Sequence, residues 1–249
     1  MIYANYVVKN EEEYLPFALQ SIWDTVDHVV IVDNGSTDKT IDIIKSFPQD
    51  KITLLHSGDR SFSGLYGMAL NVTPKDVWVM RLGADEIFYP GLQQDIKSYI
   101  DAWHNAVGFN CWFYHLLRDP WTSYVETYPC ARYKKLLLFR NSEGVRLEGE
   151  VHERLVGLEG DIVDTDIYFA HYGYCKPQRH TYEKWQHYVC LDLICAINSY
   201  AAQTIKKVES GSISPDHILD STPGYPFEYS HPPVIADYIE RAYPKPEVK

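Results

Sequence analysis

The first hundred residues alternate between short, continuous apolar runs and segments whose apolar residues recur at helical spacing. The runs predict buried strands at residues 2–8, 28–33, 52–56 and 77–82. Helices are predicted between and after these strands, at residues 10–23, 36–48, 63–72 and 90–103. Since crossovers between parallel strands are almost always right-handed, this order predicts an α/β fold with a mostly parallel central sheet and helices on both faces.

Residues with capping chemistry stand where several of these helices are predicted to begin. Asn10 and Glu13 form a predicted capping pair for the first helix, and Ser36 is the predicted cap of the second. Pro90 suits the first position of the fourth helix, since its missing N–H costs nothing there.

The pattern is less regular after residue 105. Strands are predicted at residues 106–114, 134–141 and 168–171, and one long amphipathic helix at residues 181–206. Half of the chain's 14 prolines fall in the final 35 residues, which predicts a tail that is either an extended segment packed on the core or partly ordered. We therefore divide the chain into residues 1–105, residues 106–210 and a tail, residues 211–249.

Composition limits the classes of function. The 249 residues, 45% of them hydrophobic, suit one large domain, and a net charge of -11 argues against broad contact with nucleic acid. An anionic ligand then needs a metal or a local basic pocket. The five cysteines form no CxxC pair, which favours a reducing compartment. With no visible signal peptide or membrane span, we expect a soluble, cytoplasmic protein, and peripheral membrane contact stays open.

Polar residues follow three of the predicted strands. They are Asn10 to Glu12, Asp33 to Ser36, and Gly83 to Glu86. Ligands of open parallel sheets bind beyond the carboxyl ends of the strands, so one crevice is predicted to collect all three segments.

Each acidic residue in this crevice has a local alternative. Asp33 either caps the following Asn-Gly turn or accepts hydrogen bonds from a base or ribose. Asp85 and Glu86 are either solvated turn residues or the hard oxygen ligands that Mg²⁺ or Mn²⁺ takes on a diphosphate.

Three segments give the chain a family resemblance: VVKNEEEYLPFALQSI, VVIVDNGSTDKTIDII and VWVMRLGADEIF. Together they resemble the beginning of family 2 glycosyltransferases, which share the GT-A fold. The resemblance implies that Asp33 contacts the base and that Asp85, with Glu86 secondary, binds the divalent metal. The full set of nucleotide contacts implied or suggested is Val8, Asn10, Glu12, Asp33, Asn34, Gly35, Arg60, Arg81 and Ala84.

The sequence departs from the family pattern in two places. Gly83 stands where the usual DxD motif has its first Asp. The Arg-Asn pair often found between the third and fourth strands is absent, and SFSGLYGMAL stands there. Arg60 and Arg81 are the candidates to replace that arginine at the diphosphate.

A second, weaker match lies in the later part of the chain. EGEVHERLVG and FAHYGYCKP resemble a subgroup with a His-Glu motif, here including His152, and a later metal-binding His. A carboxylate within hydrogen-bond reach can deprotonate an acceptor hydroxyl, and Glu153 is our first candidate base and Glu150 the second. The resemblance implies that His171 completes the metal site, which would favour Mn²⁺ over Mg²⁺. Each histidine also has a structural interpretation: His171 as an ordinary core or surface residue, and His152 as a residue that orients the loop carrying Glu153.

These features predict an inverting glycosyltransferase that uses a UDP- or GDP-linked sugar, a divalent metal and a hydroxyl-bearing acceptor such as a glycan or glycolipid. In this interpretation residues 1–105 bind the nucleotide sugar and residues 106–210 carry acceptor binding and catalysis. The alternative is a non-catalytic sugar- or nucleotide-binding module. A dinucleotide-binding enzyme is disfavoured, because the first turn, VVKNEEEYL, has no GxGxxG.

Two groups of polar and aromatic residues stay open between roles. The aromatic residues between 112 and 133 either stack on sugar rings or pack beneath a loop. His180 and Lys184 belong to the long predicted helix, where exposure to solvent is the default interpretation, and Lys184 alone is placed near a phosphate by the resemblance.

Overall fold

A computed structural model describes residues 1–58, 61–123, 132–149, 154–191, 200–222, 224–227 and 229–243. The strands are β1 (Ile2–Val8), β2 (His28–Asp33), β3 (Ile52–His56), β4 (Trp78–Leu82), β5 (Glu86–Phe88), β6 (Ala106–Leu117), β7 (Asp119–Ser123), β8 (Arg132–Arg140), β9 (Arg146–Glu148), β10 (Arg154–Val156), β11 (Asp161–Tyr174) and β12 (Tyr225–Pro226). The helices are α1 (Leu15–Ile22), α2 (Thr40–Ser46), α3 (Phe62–Val72), α4 (Leu92–Ala102), α5 (Gln178–Leu191), α6 (Tyr200–Glu209) and α7 (Pro233–Ala242). Single 3₁₀ turns lie at Gln49–Lys51 and Pro215–His217.

Ten of these strands form one sheet, whose two halves differ in strand direction. The first half runs β3-β2-β1-β4 with every pair parallel, as predicted. In the second half β8 lies antiparallel between β4 and β6, and β6 and β7 are antiparallel neighbours. The α/β class is confirmed, but the sheet is mixed and not mostly parallel. Short connections such as the turn at Arg118 join antiparallel strands, whereas parallel strands need a crossover.

Helices cover both faces of the parallel half, as predicted. Along β2, Val29 and Ile31 point into the main core, which holds buried residues of α1, α2, α4 and α7. Val30 and Val32 point to the opposite face and pack with residues of α3. This alternation is the period of two expected of a strand, and burial on both faces accounts for the continuous apolar run HVVIVD.

The predicted cap at Asn10 is wrong. Helix α1 begins at Leu15, and Asn10 has a left-handed backbone with φ of 55°. Asn tolerates this conformation better than most residues. The Asn10 side-chain oxygen accepts a hydrogen bond from the backbone N–H of Thr37 at 2.8 Å. Its predicted partner Glu13 accepts hydrogen bonds from the hydroxyls of Tyr238 and Tyr243.

The other two predicted helix starts are also displaced. Helix α2 begins at Thr40, and the hydroxyl of Ser36 accepts a hydrogen bond from the N–H of Asn10. Helix α4 begins at Leu92, after Gly91 with φ of 96°. Ser36 thus serves the loop before α2, and a left-handed turn at Gly91, after Pro90, delays the start of α4.

The single helix predicted at residues 181–206 is wrong. Two helices, α5 and α6, pack against each other, and residues 192–199 lie outside the described part of the chain. Tyr182 and Trp185 of α5 share a small apolar cluster with Ile205 of α6. A straight helix would hold residues 185 and 205 about 30 Å apart. Spacing of three and four residues does not distinguish one helix from two.

The described part of the tail is packed on the core and is not extended. Strand β12 pairs antiparallel with β7, and α7 buries Ile235 and Ile239 completely in the main core. Pro233 is the first residue of α7, where proline is favoured. Among the described prolines of the tail, Pro215 begins a 3₁₀ turn and Pro233 begins a helix.

None of the helices described by the structure is both long and apolar enough to cross a membrane. The cytoplasmic location stays a prediction.

Candidate active site

A cleft of about 370 Å³ opens at the carboxyl ends of β1, β2 and β4. The three strand-end segments contribute Val8, Asn10, Asn34, Ala84 and Asp85 to its lining. Register explains their meeting, because Val8 pairs with Asp33 and Tyr6 pairs with Leu82 across the parallel strands. The prediction that one crevice collects all three segments is confirmed.

Hydrogen bonds tie the loop after β1 to the loop after β2. Besides the contact between Asn10 and Thr37, the backbone N–H of Glu11 donates to the hydroxyl of Thr40 at 2.8 Å. The N–H of Lys39 donates to the carboxylate of Glu12 at 3.0 Å. Glu12 thus supports the neighbouring loop, and the floor of the cleft is braced between two strands.

Asp33 is buried and its carboxylate is engaged locally. It accepts hydrogen bonds from the backbone N–H groups of Gly35 at 3.2 Å and Ser36 at 3.1 Å. Its oxygen Oδ2 also lies 3.4 Å from Nδ1 of His56. Gly35 has φ of 81°, which the turn requires. These contacts are those of the capping alternative, and contact between Asp33 and a nucleotide base stays a prediction.

The turn after β4 holds Asp85 in place through Glu86. The Glu86 carboxylate accepts a hydrogen bond from the N–H of Gly83 at 3.0 Å, and the N–H of Glu86 donates back to the Gly83 carbonyl. Lys135 of β8 donates to both Glu86 oxygens at 2.6 Å. The structure therefore assigns Glu86 to an ion pair that closes the turn, in place of the secondary metal role that the sequence suggested.

Asp85 faces His171, which comes from β11. Strand β5 pairs antiparallel with β11, opposing Glu86 to His171, and the N–H of Tyr172 donates to the Asp85 carbonyl at 2.9 Å. Nε2 of His171 lies 3.6 Å from Oδ1 of Asp85. Burial alone would raise the pKa of Asp85, but the charges of His171, Lys184 and Lys176 outweigh it and hold the pKa below its usual range. Asp85 is thus a carboxylate near neutral pH.

Two glycines leave space around this pair. A Cβ on Gly173 would lie 2.7 Å from Oδ2 of Asp85 and 2.8 Å from Nε2 of His171. A Cβ on Gly83 would lie 2.8 Å from Oδ1 of Asp85. In this arrangement a side chain at position 83 would require the Asp85 carboxylate to shift.

Residues of the later chain also line the cleft. They are His180, Glu183 and Lys184 of α5, and His180 and Lys184 are half-buried there. Lys176, just before α5, forms a buried ion pair with Glu11 at 2.5 Å. Sequence reasoning missed Lys176, because no local pattern showed that this turn returns to β1.

The remaining site predictions fall into two groups. Arg81 lies with its guanidinium 5.5 Å from the ring centre of Tyr66, and Tyr66 lines the cleft. Arg60, Glu150, His152 and Glu153 lie outside the described residues.

Two tryptophans between residues 112 and 133 pack against other parts of the fold. Trp112 donates to the carbonyl of Thr165, and Trp121 donates to the carbonyl of Tyr243. The contacts of these two side chains are those of packing within the fold, the alternative to stacking on sugar rings.

Asp85 and His171 are suited to share a divalent cation. No cluster of three or more His, Cys, Asp and Glu side chains with metal-binding geometry occurs within the described ranges. Mg²⁺ and similar ions, however, commonly take one or two protein ligands and fill the other positions with phosphate oxygens and water. A carboxylate, an imidazole nitrogen and a gap free of Cβ atoms fit such a site.

A cleft at the ends of parallel strands, with a buried carboxylate and both basic and acidic side chains in its lining, is where α/β proteins bind their ligands. The sequence model of the family described as Glycosyl transferase family 2 matches residues 6–147, more than half of the chain. The chain belongs to this family, and the resemblance is confirmed together with the α/β fold of the GT-A type. The matched range includes Asp33 and Asp85 and ends before β11, so the His-Glu subgroup stays a prediction.

Curated relatives match part of the chain. An uncharacterized glycosyltransferase of Rickettsia typhi is 36% identical over 102 residues, 40% of this chain and 32% of that protein. A TPR repeat-containing protein of Synechococcus elongatus is 29% identical over 148 residues, 59% of this chain and 33% of that protein. A crystal structure of S. aureus TarS is 14% identical with a TM-score of 0.45, covering 88% of this chain and 74% of that one. The chain spans about a third of the length of the curated relatives it matches.

Proposed function

We propose that the chain is an inverting glycosyltransferase that moves a sugar from a UDP- or GDP-linked donor to a hydroxyl of a glycan, glycolipid or other acceptor. Family membership supports the class of reaction. The observation that carries the proposal is the pair of Asp85 and His171, facing each other across a gap that Gly83 and Gly173 leave open at the end of the cleft.

Asp85 and His171 would hold Mn²⁺ or Mg²⁺. When bound, the cation stabilises the negative charge that develops on the departing nucleoside diphosphate. The imidazole nitrogen favours Mn²⁺ of the two. The residues' own contribution is orientation: the β5–β11 pairing and the bond from Tyr172 N–H to the Asp85 carbonyl hold both ligands on one side of the diphosphate site.

Charge in the cleft supports a diphosphate as the donor group. The chain as a whole carries a net charge of -11, and the cleft is lined by Lys9 and Lys184 as well as by Glu11, Asp85 and Glu183. An anion in such a cleft needs a metal, and Lys184 beside Asp85 would add a local positive charge. We propose that α5 supplies the positive charge that the family's Arg-Asn pair supplies elsewhere.

Inversion needs a base that deprotonates the acceptor hydroxyl as it attacks the anomeric carbon. We keep Glu153 as the first candidate for this base and Glu150 as the second. Both precede β10, which pairs with β9 in a small separate sheet of the described chain.

The alternative function, a non-catalytic binding module, drew its support from Gly83. The space around Asp85 now offers a different account of that glycine, because it leaves room for a ligand. Catalysis is therefore the better-supported proposal.

The test is nucleotide release from a panel of UDP- and GDP-sugars, with the purified chain, Mn²⁺ or Mg²⁺, and candidate acceptors. Asp85→Asn keeps the shape of the side chain and removes its charge, and we expect turnover to fall at least about 100-fold, or about 2.7 kcal/mol in transition-state stabilisation. Asp95→Asn, an exposed change on α4, is the matched control. Full metal-dependent turnover in Asp85→Asn would refute the metal role, and binding of donors without turnover across the panel would favour the binding module.

A further inference from the structure

His171 makes a second contact, on the side of its ring away from Asp85. Nδ1 of His171 lies 2.9 Å from Nδ1 of His115. The two residues face each other in the parallel register of β6 and β11, and their rings stack with centres 4.7 Å apart. Neither the family motifs nor the local periodicity pointed to His115, because the two histidines are 56 residues apart in the chain.

A contact of 2.9 Å between two ring nitrogens needs one of them to donate and the other to accept. A histidine that holds a metal through Nε2 is neutral and carries its one N–H on Nδ1.

The direction of this hydrogen bond decides what His171 presents to Asp85. If His115 donates, the proton of His171 sits on Nε2 and points toward the carboxylate. If His171 donates, its Nε2 carries a lone pair instead. A metal ligand must offer the lone pair, and the tautomer of a ligating histidine is set by what its other nitrogen donates to.

We propose that His115 is a positioning residue for the metal site: its Nδ1 accepts the hydrogen bond from Nδ1–H of His171 and thereby keeps the lone pair of His171 Nε2 directed at the gap beside Asp85. The inference rests on the proposed metal site. The usual acceptor in such pairs is a carboxylate or a backbone carbonyl, and here a neutral imidazole takes that place.

Two substitutions separate the acceptor from the ring. His115→Phe keeps an aromatic ring against His171 and removes the nitrogen. His115→Asn removes the ring and places its side-chain oxygen, attached to Cγ as Nδ1 is, near the position of that nitrogen. Mn²⁺ binding to the purified full chain, followed by the electron paramagnetic resonance signal of free Mn²⁺ without nucleotide, reads out the site independently of activity.

We expect His115→Phe to weaken Mn²⁺ binding about 10- to 100-fold, the range for loss of a partner of a metal-bound histidine. His115→Asn should retain most of the affinity. Thermal unfolding of each variant without metal shows whether it is folded. Unchanged affinity in His115→Phe, or equal losses in both folded variants, would overturn the acceptor role.

The same titration separates this inference from the proposed function. If Asp85→Asn and His171→Ala lose Mn²⁺ while His115→Phe binds like the unmodified chain, the metal site stands and the positioning role falls. If the unmodified chain and Asp85→Asn give the same signal, the metal site itself is refuted.

Discussion

The two halves of the sheet supply the candidate site in different ways. In the parallel half, each polar segment lies at or after the end of its own strand, so that Asn10, Asn34 and Asp85 reach the cleft from strand ends. In the mixed half, His171 lies within the long strand β11, and His180 and Lys184 lie on the helix that follows it. Their places depend on pairing between distant strands.

This difference separates two tasks. The parallel half braces the floor of the cleft through hydrogen bonds between neighbouring loops, as between Glu12 and Lys39. The mixed half brings His171, Lys176 and Lys184 against that floor. A carboxylate after a strand is, on its own, a common turn residue. Asp85 differs because His171 of the mixed half lies 3.6 Å from it.

The largest expected effect tests whether the tail contributes to the main core as much as the parallel half does. Ile239 of α7 and Ile44 of α2 are both completely buried in the main core. We expect Ile239→Ala and Ile44→Ala to lower the free energy of unfolding by similar amounts, about 2–5 kcal/mol each. Urea unfolding checks this. Val234→Ala, at a partly buried position of α7, serves as a milder control, and a negligible effect of Ile239→Ala would show that α7 is dispensable.

The next largest effect tests the space that Gly173 leaves beside Asp85 and His171. We expect Gly173→Ala to reduce metal-dependent turnover at least about 100-fold, because the new methyl group would occupy space beside Asp85 and His171. Gly67→Ala is the matched control in the parallel half, since a Cβ there meets nothing within 4 Å. Turnover and Mn²⁺ binding are measured on variants whose thermal unfolding confirms folding. Retention of both in Gly173→Ala would show that this space is not used.

Sequence reasoning succeeded where structure is local. A buried apolar run ends at a strand terminus, so the positions of Asp33 and Asp85 at the sheet edge followed from periodicity alone. The boundaries of α1 and α2 did not follow, because Asn10 and Ser36 bond across to a neighbouring loop and not to their own helices. A capping residue and a loop brace look alike in sequence.

The missed residues share a different cause. His115 meets His171 only because β6 and β11 pair in one register, and Lys135 meets Glu86 only because β8 inserts between β4 and β6. A shift of one residue in either pairing would turn these side chains to the other face of the sheet. Register between distant strands is a property of the whole fold, which a single sequence does not reveal.

The smallest effect concerns the charge that α5 brings to the cleft. We expect Lys184→Gln to raise the KM for a nucleotide-sugar donor about tenfold, or about 1.4 kcal/mol, because a cation facing the diphosphate is lost. Mn²⁺ binding without donor should not weaken, because removing a positive charge that acts on Asp85 favours a cation there. Lys97→Gln, an exposed change on α4, is the control, and donor kinetics with a parallel metal titration provide the measurement. An equal loss of metal and donor binding in Lys184→Gln would point to a structural role for this lysine, and the division of tasks between the two halves would then not extend to α5.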